Sequence, residues 1–322
     1  MVDGGVVALL TGGRPTVSFE LYPPRTDAAR ARLPATLDQL ATARPDFFSV
    51  TYGASGATSE VSHDVVRTLV ARTDAAVVAH LTCIGRPWRE VRPVAERFLA
   101  DGVRDVLALR GDPPAGVSDW RPHPEGLRHG SELVARLRGL ADELGVDLSI
   151  GVAATPSARW ATPPQAPVPG DDDVSALLAK QDAGADYAIT QVFFQPDAYA
   201  RYRDAARARG VTLPLLPGLV PLVDPARLRR LEQISQVPVP PAVLRGLDEA
   251  DEERRQELGT AMGVELVRAV LDFGAPGVHV YTFNQHRGAL DLVRAAGLRP
   301  STTDPGAVGP TPATEDRGTL DR

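Results

Sequence analysis

Val17-Ser18-Phe19-Glu20-Leu21-Tyr22-Pro23-Pro24 is an apolar, β-favouring run that carries one acid and stops at two prolines. Alternation along it sets Val17, Phe19 and Leu21 on one face and Ser18, Glu20 and Tyr22 on the other. Runs of the same kind recur at 46–52, 76–83, 105–109, 148–153, 187–194, 213–220 and 278–283. Helical patterns follow them at 27–43, 60–72, 88–101, 130–144, 172–183, 198–209, 225–234 and 252–273, with a last helix at 287–296. Strand then helix, about eight times over, is the pattern of an α/β protein of the (β/α)8 TIM barrel class. The rival is an open doubly wound sheet. It needs a glycine-rich turn after the first strand, where this chain reads Tyr22-Pro23-Pro24-Arg25. A single barrel domain over residues 1–300 is therefore expected.

In a barrel the faces acquire meaning. Val17, Phe19 and Leu21 suit the helix layer, so Glu20 points into the mouth. A carboxyl group with little water around it favours its neutral form and can deliver a proton near neutral pH. By the same parity Val78, His80 and Thr82 share a face opposite Ala79, Leu81 and Cys83, and Ile189, Gln191 and Phe193 share another. Barrel enzymes keep their chemistry at the C-terminal strand ends. Glu20, Thr51, His80, Arg110, Asp112 and Gln191 all lie at or just beyond such ends, and their convergence points to a site.

Composition narrows the class. The chain has 322 residues, enough for one large α/β domain, with a globular 43% hydrophobic and 24% charged content. A formal charge of -6 and the lack of a basic tract argue against nucleic-acid binding. The single cysteine, Cys83, excludes an internal disulfide and a cysteine zinc cluster, and its apolar surroundings read as core. No run is apolar and long enough to span a membrane, and the short apolar piece within residues 1–13 lacks the basic start of a signal peptide, so a cytoplasmic protein is expected. His123 and His129 lack acidic partners at ligand spacing, and no metal site is predicted. The proline-rich segment 155–170 reads as a rim over the mouth, and 301–322 as a disordered tail.

Three local patterns bear on ligands. Arg110-Gly111-Asp112 offers a planar cation, a close backbone approach and an acceptor, although a strand-ending turn with a surface ion pair explains it equally. Thr51-Tyr52-Gly53-Ala54-Ser55-Gly56 offers backbone N–H groups to a phosphate, or is an ordinary loop. Lys180 is the only lysine in an arginine-rich chain, and Asp173 lies almost two helical turns before it. The acidic run at 171–173 also fits a plain helix cap.

Together these segments resemble the methylenetetrahydrofolate reductase family. The matching pieces include Ser18-Phe19-Glu20-Leu21-Tyr22-Pro23-Pro24-Arg25, Ser49-Val50-Thr51-Tyr52-Gly53-Ala54, His80-Leu81-Thr82-Cys83, Leu107-Ala108-Leu109-Arg110-Gly111-Asp112, Asp182-Ala183-Gly184-Ala185-Asp186, Ile189-Thr190-Gln191-Val192-Phe193-Phe194, Pro217-Gly218-Leu219-Val220-Pro221 and Tyr281-Thr282-Phe283-Asn284, in the family's order. The resemblance implies a (β/α)8 barrel that reduces 5,10-methylenetetrahydrofolate to 5-methyltetrahydrofolate with NADH or NADPH. It assigns Glu20 as the acid that protonates N10. Asp112 would stand beside the pterin and redox ring, and Gln191, Thr51 and Tyr281 would line the substrate. Thr51, His80, Arg110, Gly111, Asp173 and Lys180 fall where the family holds its flavin.

Departures from the family concentrate on that flavin side. A tyrosine and a histidine after the fifth strand read Thr155 and Arg159; an asparagine and an arginine on the next helix read Ala176 and Ala179. A glutamine at the far substrate wall reads Arg227, and the arginine after the eighth-strand asparagine reads Gln285. Each lost contact is worth about 1–3 kcal/mol. The pattern reads as a branch that dispenses with FAD, its nicotinamide occupying the flavin's place. A FAD-dependent reductase with substitute contacts, a deazaflavin enzyme on another pterin and a non-catalytic folate-binding protein are the alternatives. The sequence leaves NADH against NADPH, and monomer against homo-oligomer, open.

Overall fold

The computed structural model describes residues 5–52, 56–112, 121–156 and 172–299. Gly53, Ala54, Ser55, Pro113, Pro114, Arg159, Asp171, most of the proline-rich rim and the expected disordered tail lie outside the described residues. The strands are β1 (Thr16–Leu21), β2 (Phe47–Val50), β3 (Ala76–Thr82), β4 (Asp105–Leu109), β5 (Ser149–Ala154), β6 (Tyr187–Thr190), β7 (Leu215–Leu216), β8 (Gly218–Leu219) and β9 (Gly277–Tyr281). All pairings are parallel, in the order β7-β6-β5-β4-β3-β2-β1-β9-β8. β7 pairs with β6, β8 pairs with β9, and Pro217 alone separates them. The two form one barrel position, so the ring closes at eight. The sequence pattern predicts this position as a single strand. Proline breaks it because it has no N–H for the ladder, yet its carbonyl still accepts from the His279 N–H at 2.9 Å.

Around the barrel run α2 (Asp27–Ala41), α3 (Gly56–Arg72), α4 (Trp88–Ala100), α5 (Gly130–Leu144), α6 (Asp172–Asp182), α7 (Pro196–Ala208), α8 (Pro225–Ser235), α10 (Glu252–Asp272) and α11 (Arg287–Ala295), with α1 (Gly5–Thr11) and α9 (Pro241–Asp248) added. Local chemistry sets several ends. Thr26, Asp224 and Asp251 accept from the N–H groups of Ala29, Arg227 and Arg254 at the starts of α2, α8 and α10. Gly145 ends α5 in the left-handed region, at φ 62°. Among the described residues no helix is long and apolar enough to cross a membrane.

The strand parity holds on β1 and β3. Val17, Phe19, Leu21, Ala79, Leu81 and Cys83 pack in the large cluster beneath the helices, whereas Val78 belongs to the barrel interior. It fails after β6. Phe193 joins the helix layer and stacks on Tyr199 with centroids 5.9 Å apart, instead of sharing the interior face of Ile189. The strand ends at Thr190, so alternation no longer governs the residues beyond it.

The floor of the barrel is an element that the sequence reading did not resolve as a helix. α1 inserts Val6 and Leu10 among Phe47, Val78, Leu107, Tyr187, Ile189 and Leu216. The buried Asp105 carboxylate accepts from the Val6 N–H at 2.7 Å and anchors the start of α1. The apolar floor therefore leaves polar interior positions only toward the other end. Leu10→Ala should destabilise the fold by about 2–5 kcal/mol; urea unfolding measures it, and a loss well below that range would mean that α1 does not plug the barrel.

Candidate active site

Parallel pairing brings the C-terminal strand ends to one rim. Glu20 is level with Ser49 of β2 and Tyr281 of β9, and Ser18 is level with His279 one step deeper. The Glu20 side chain is 19% exposed. Its Oε2 lies 3.5 Å from His279 Nε2 and 3.7 Å from His80 Nε2. His279 is fully buried, with its Nδ1 2.7 Å from Ser18 Oγ and its Nε2 3.3 Å from Ser49 Oγ. Ser18 Oγ also lies within hydrogen-bond distance of the Val278 carbonyl, at 3.3 Å, so Ser18 and Ser49 hold the two ring nitrogens of His279 while its Nε2 edge faces Glu20. Phe47 stacks on the imidazole at 5.8 Å and Tyr281 meets it edge-on at 5.3 Å, fixing the ring.

His80 is different. Burial pushes its pKa down to about 4, with His279 adding to the shift and Glu20 opposing it. His80 is thus uncharged at neutral pH, and its contact with Glu20 is polar rather than ionic. Among the described residues its Nε2 has no hydrogen-bond partner, and neither does the buried Oγ1 of Thr82 further along the same strand face. These two buried polar atoms on the interior face at the mouth are placed to bond a ligand entering there.

The end of β1 is latched from the far side of the barrel seam. Thr282 Oγ1 donates to the Glu20 carbonyl at 2.6 Å. Asn284 accepts from the Tyr22 N–H at 3.0 Å through Oδ1 and donates to the Tyr22 carbonyl at 2.8 Å through Nδ2. To reach this position Phe283 and Asn284 take φ of 52° and 55°, costly for residues other than glycine. Tyr281 donates to the Thr190 carbonyl at 2.7 Å, and burial, then the nearby Glu20, hold its phenol well above the usual range. Gly218 makes this ring position possible: a Cβ there would lie 2.6 Å from the tyrosine ring and 2.3 Å from the Thr190 carbonyl oxygen.

The other predicted site residues form a looser rim. Thr51 is half-buried just beyond β2 and its N–H donates to the Leu21 carbonyl. Gln191 is half-buried; its Oε1 accepts from the Val192 N–H at 2.9 Å, leaving the Nε2 donors available. Gly111 adopts φ 81°, and a Cβ there would stand 3.1 Å from Thr82 Cβ. Asp112 is 95% exposed, with Arg110 4.0 Å away and itself exposed. Among the described residues no hydrogen bond or ion pair joins Asp112 to the Glu20–histidine cluster, so this structure does not gather it with the acid.

Lys180 and Asp173 both lie on α6. The ammonium donates to the Ala153 carbonyl at 2.7 Å. Its pKa is lowered by burial and by Arg110, with Asp173 acting in the other direction. Ala176 and Ala179 face solvent on the same helix. Among the described residues no group of histidine, cysteine or acidic side chains could hold a metal.

The family profile described as methylenetetrahydrofolate reductase matches residues 6–297. The chain belongs to that family. It is 33% identical over 293 residues to the 5,10-methylenetetrahydrofolate reductase of Pectobacterium carotovorum, covering 89% of this chain and 92% of the relative. The Escherichia coli relative of the same name is 32% identical over 291 residues, with 89% and 93% covered. A rice relative named probable methylenetetrahydrofolate reductase (NADH) is 28% identical over 289 residues, spanning 89% of this chain and 49% of the relative. Among solved structures, an uncharacterized Clostridium thermocellum protein that binds two copies of 5-methyl-5,6,7,8-tetrahydrofolic acid superposes with a TM-score of 0.59 at 12% identity, covering 90% and 98% of the two chains; this is a likeness of fold. The chain is an oxidoreductase of the methylenetetrahydrofolate reductase kind.

Against the family's pattern, His279 and Thr82 are the residues the sequence reading passed over. Both were within reach of parity. His279 alternates with Tyr281, and Thr82 shares the face of His80. His80 also makes a pH prediction. Its folded value lies below the ordinary 6.5, so the unfolded chain takes up the proton first as pH falls. The associated stability is full above about 6.5 and is lost between about 6.5 and about 4. His80→Gln should flatten that stretch of the stability curve; unfolding midpoints measured across the window test it, and an unchanged slope would contradict the assignment.

Proposed function

We propose that this chain reduces 5,10-methylenetetrahydrofolate to 5-methyltetrahydrofolate by direct hydride transfer from NADH or NADPH, with Glu20 supplying the proton. The observation that carries the reading is the interior Glu20 carboxyl at the C-terminal rim, held against two buried imidazoles. Protonation of N10 breaks its bond to the bridging methylene and leaves an iminium between that carbon and N5. The dihydronicotinamide C4 gives hydride to this carbon, producing the N5-methyl group and the oxidised nicotinamide. One proton and one hydride are consumed, and one folate product and one oxidised dinucleotide leave.

The protein's part is placement and the exclusion of water. Thr282 and Asn284 fix the backbone at Glu20 and Tyr22. Gln191 keeps its Nε2 donors for the pterin, while Thr51 and Gly111 border the same mouth. Asp112 is exposed just beyond the end of β4 and takes no part in this step. The bacterial relatives named 5,10-methylenetetrahydrofolate reductase and the rice relative named for NADH support this choice of substrate and hydride source.

Among the described residues the flavin side fits poorly. A flavin dinucleotide carries a diphosphate that calls for cations or clustered N–H donors. α6 presents Ala176 and Ala179, and its lysine is committed to the Ala153 carbonyl. Arg110 turns its Nε back to the Gly111 carbonyl. No step of the proposed reaction therefore passes through a flavin. The purified protein should show no stoichiometric flavin absorbance and should give intersecting double-reciprocal plots, since both substrates must be bound together; a flavin band with parallel plots would refute direct transfer. Glu20→Gln should lower kcat by about 10²–10⁴ with the fold unchanged by circular dichroism. Retention of most activity would remove Glu20 from the acid role.

A further inference from the structure

The mouth carries one more constructed feature. Beyond Tyr281, the chain turns at Phe283 and presents its ring to the guanidinium of Arg227, whose Cζ lies 5.2 Å from the ring centroid. Arg227 stands in the first turn of α8, behind the Asp224 cap. Asp224 Oδ1 accepts from the Arg227 N–H at 2.9 Å, and Oδ2 lies 3.4 Å from the guanidinium. The arginine is 28% exposed. Among the described residues Asp224 is the one carboxylate on it, and the contact is long enough to orient the side chain without consuming its five donors. Beneath it Phe194, Leu231, Tyr281 and Phe283 pack on one apolar cluster with Val192 and Val239. From Glu20 outward, the wall thus runs from a carboxyl, through the Tyr281 and Phe283 rings, to a held cation.

We propose that Arg227 is a specificity-determining residue that binds the anionic tail of the substrate, its guanidinium taking the carboxylate of the folate's glutamyl group. The inference rests on the folate reading above. A folate laid with its pterin at Glu20 has an aminobenzoyl ring next and carboxylates beyond it, the same order of chemistry as the wall. A planar guanidinium already fixed by a ring and a carboxylate loses little freedom on closing a bidentate pair. A dinucleotide diphosphate would satisfy the same donors, so the test must separate the two sources.

Steady-state kinetics should be run on the native chain and Arg227→Gln with methylenetetrahydrofolate, with its analogue lacking the glutamyl group, and with varied NADH. For the glutamylated substrate the variant should raise KM roughly ten- to a hundredfold, with the loss falling on KM rather than kcat. For the analogue the native enzyme should already show the raised KM, and the variant should add nothing further. An equal effect on both folates, an effect confined to the KM of NADH, or no effect would overturn the proposal while leaving the reductase reading intact. Lack of turnover of either folate by the native chain would overturn both. Arg227→Lys separates charge from shape: it should restore less than half of the lost affinity, because an ammonium cannot form the planar pair, and full restoration would contradict the bidentate contact.

Discussion

The register of β1 against β9 is the constraint on which this site depends. It sets Glu20 level with Tyr281 and Ser18 level with His279. Because side chains alternate with a period of two, a slip of one residue would turn Glu20 into the helix layer and Phe19 into the mouth. The register is protected from both ends. Below, Asp46 accepts from the Val17 N–H at 2.7 Å and binds Arg14 and Arg299. Above, Thr282 and Asn284 hold the carbonyls of Glu20 and Tyr22.

These fixings carry costs that the fold accepts near the rim. Two successive residues in the left-handed region cost on the order of 1–3 kcal/mol each, offset by the two-pronged bond of Asn284 to Tyr22. The unpaired Nε2 of His80 and Oγ1 of Thr82 forgo further stabilisation. The floor does the opposite. There α1 fills the barrel with aliphatic side chains and one capping carboxylate, so the polar and strained positions gather at one end. A rigid apolar base and an underpaired polar mouth are complementary demands on one barrel.

Much of this was legible in the sequence. Repetition of strand and helix gave the closed barrel, and parity on the first and third strands put Glu20 and His80 on the interior face. Where the backbone leaves the ladder, parity stops working. Phe193 turned outward because β6 ends at Thr190, and Pro217 divided a run that looked continuous. α1 is too short to show a helical period, and α9 is hidden behind Val237-Pro238-Val239-Pro240-Pro241, whose last proline opens the helix. His279 was obscured by its valine neighbours. Its role depends on Ser18 and Ser49, which lie far away in sequence and meet it only through strand pairing. The exposure of Asp112 was likewise unreadable, since it depends on how the chain leaves β4.

The central claim is that hydride passes straight from a dihydronicotinamide to a folate carbon opened by the Glu20 proton. Isotope transfer tests it most directly. With NADH carrying deuterium at the transferred C4 position, mass spectrometry of the 5-methyl product should find one deuteron in the methyl group and none lost to solvent. Label washed into water, with an unlabelled methyl group, would mean that the hydride rested on an exchangeable carrier and would contradict the account.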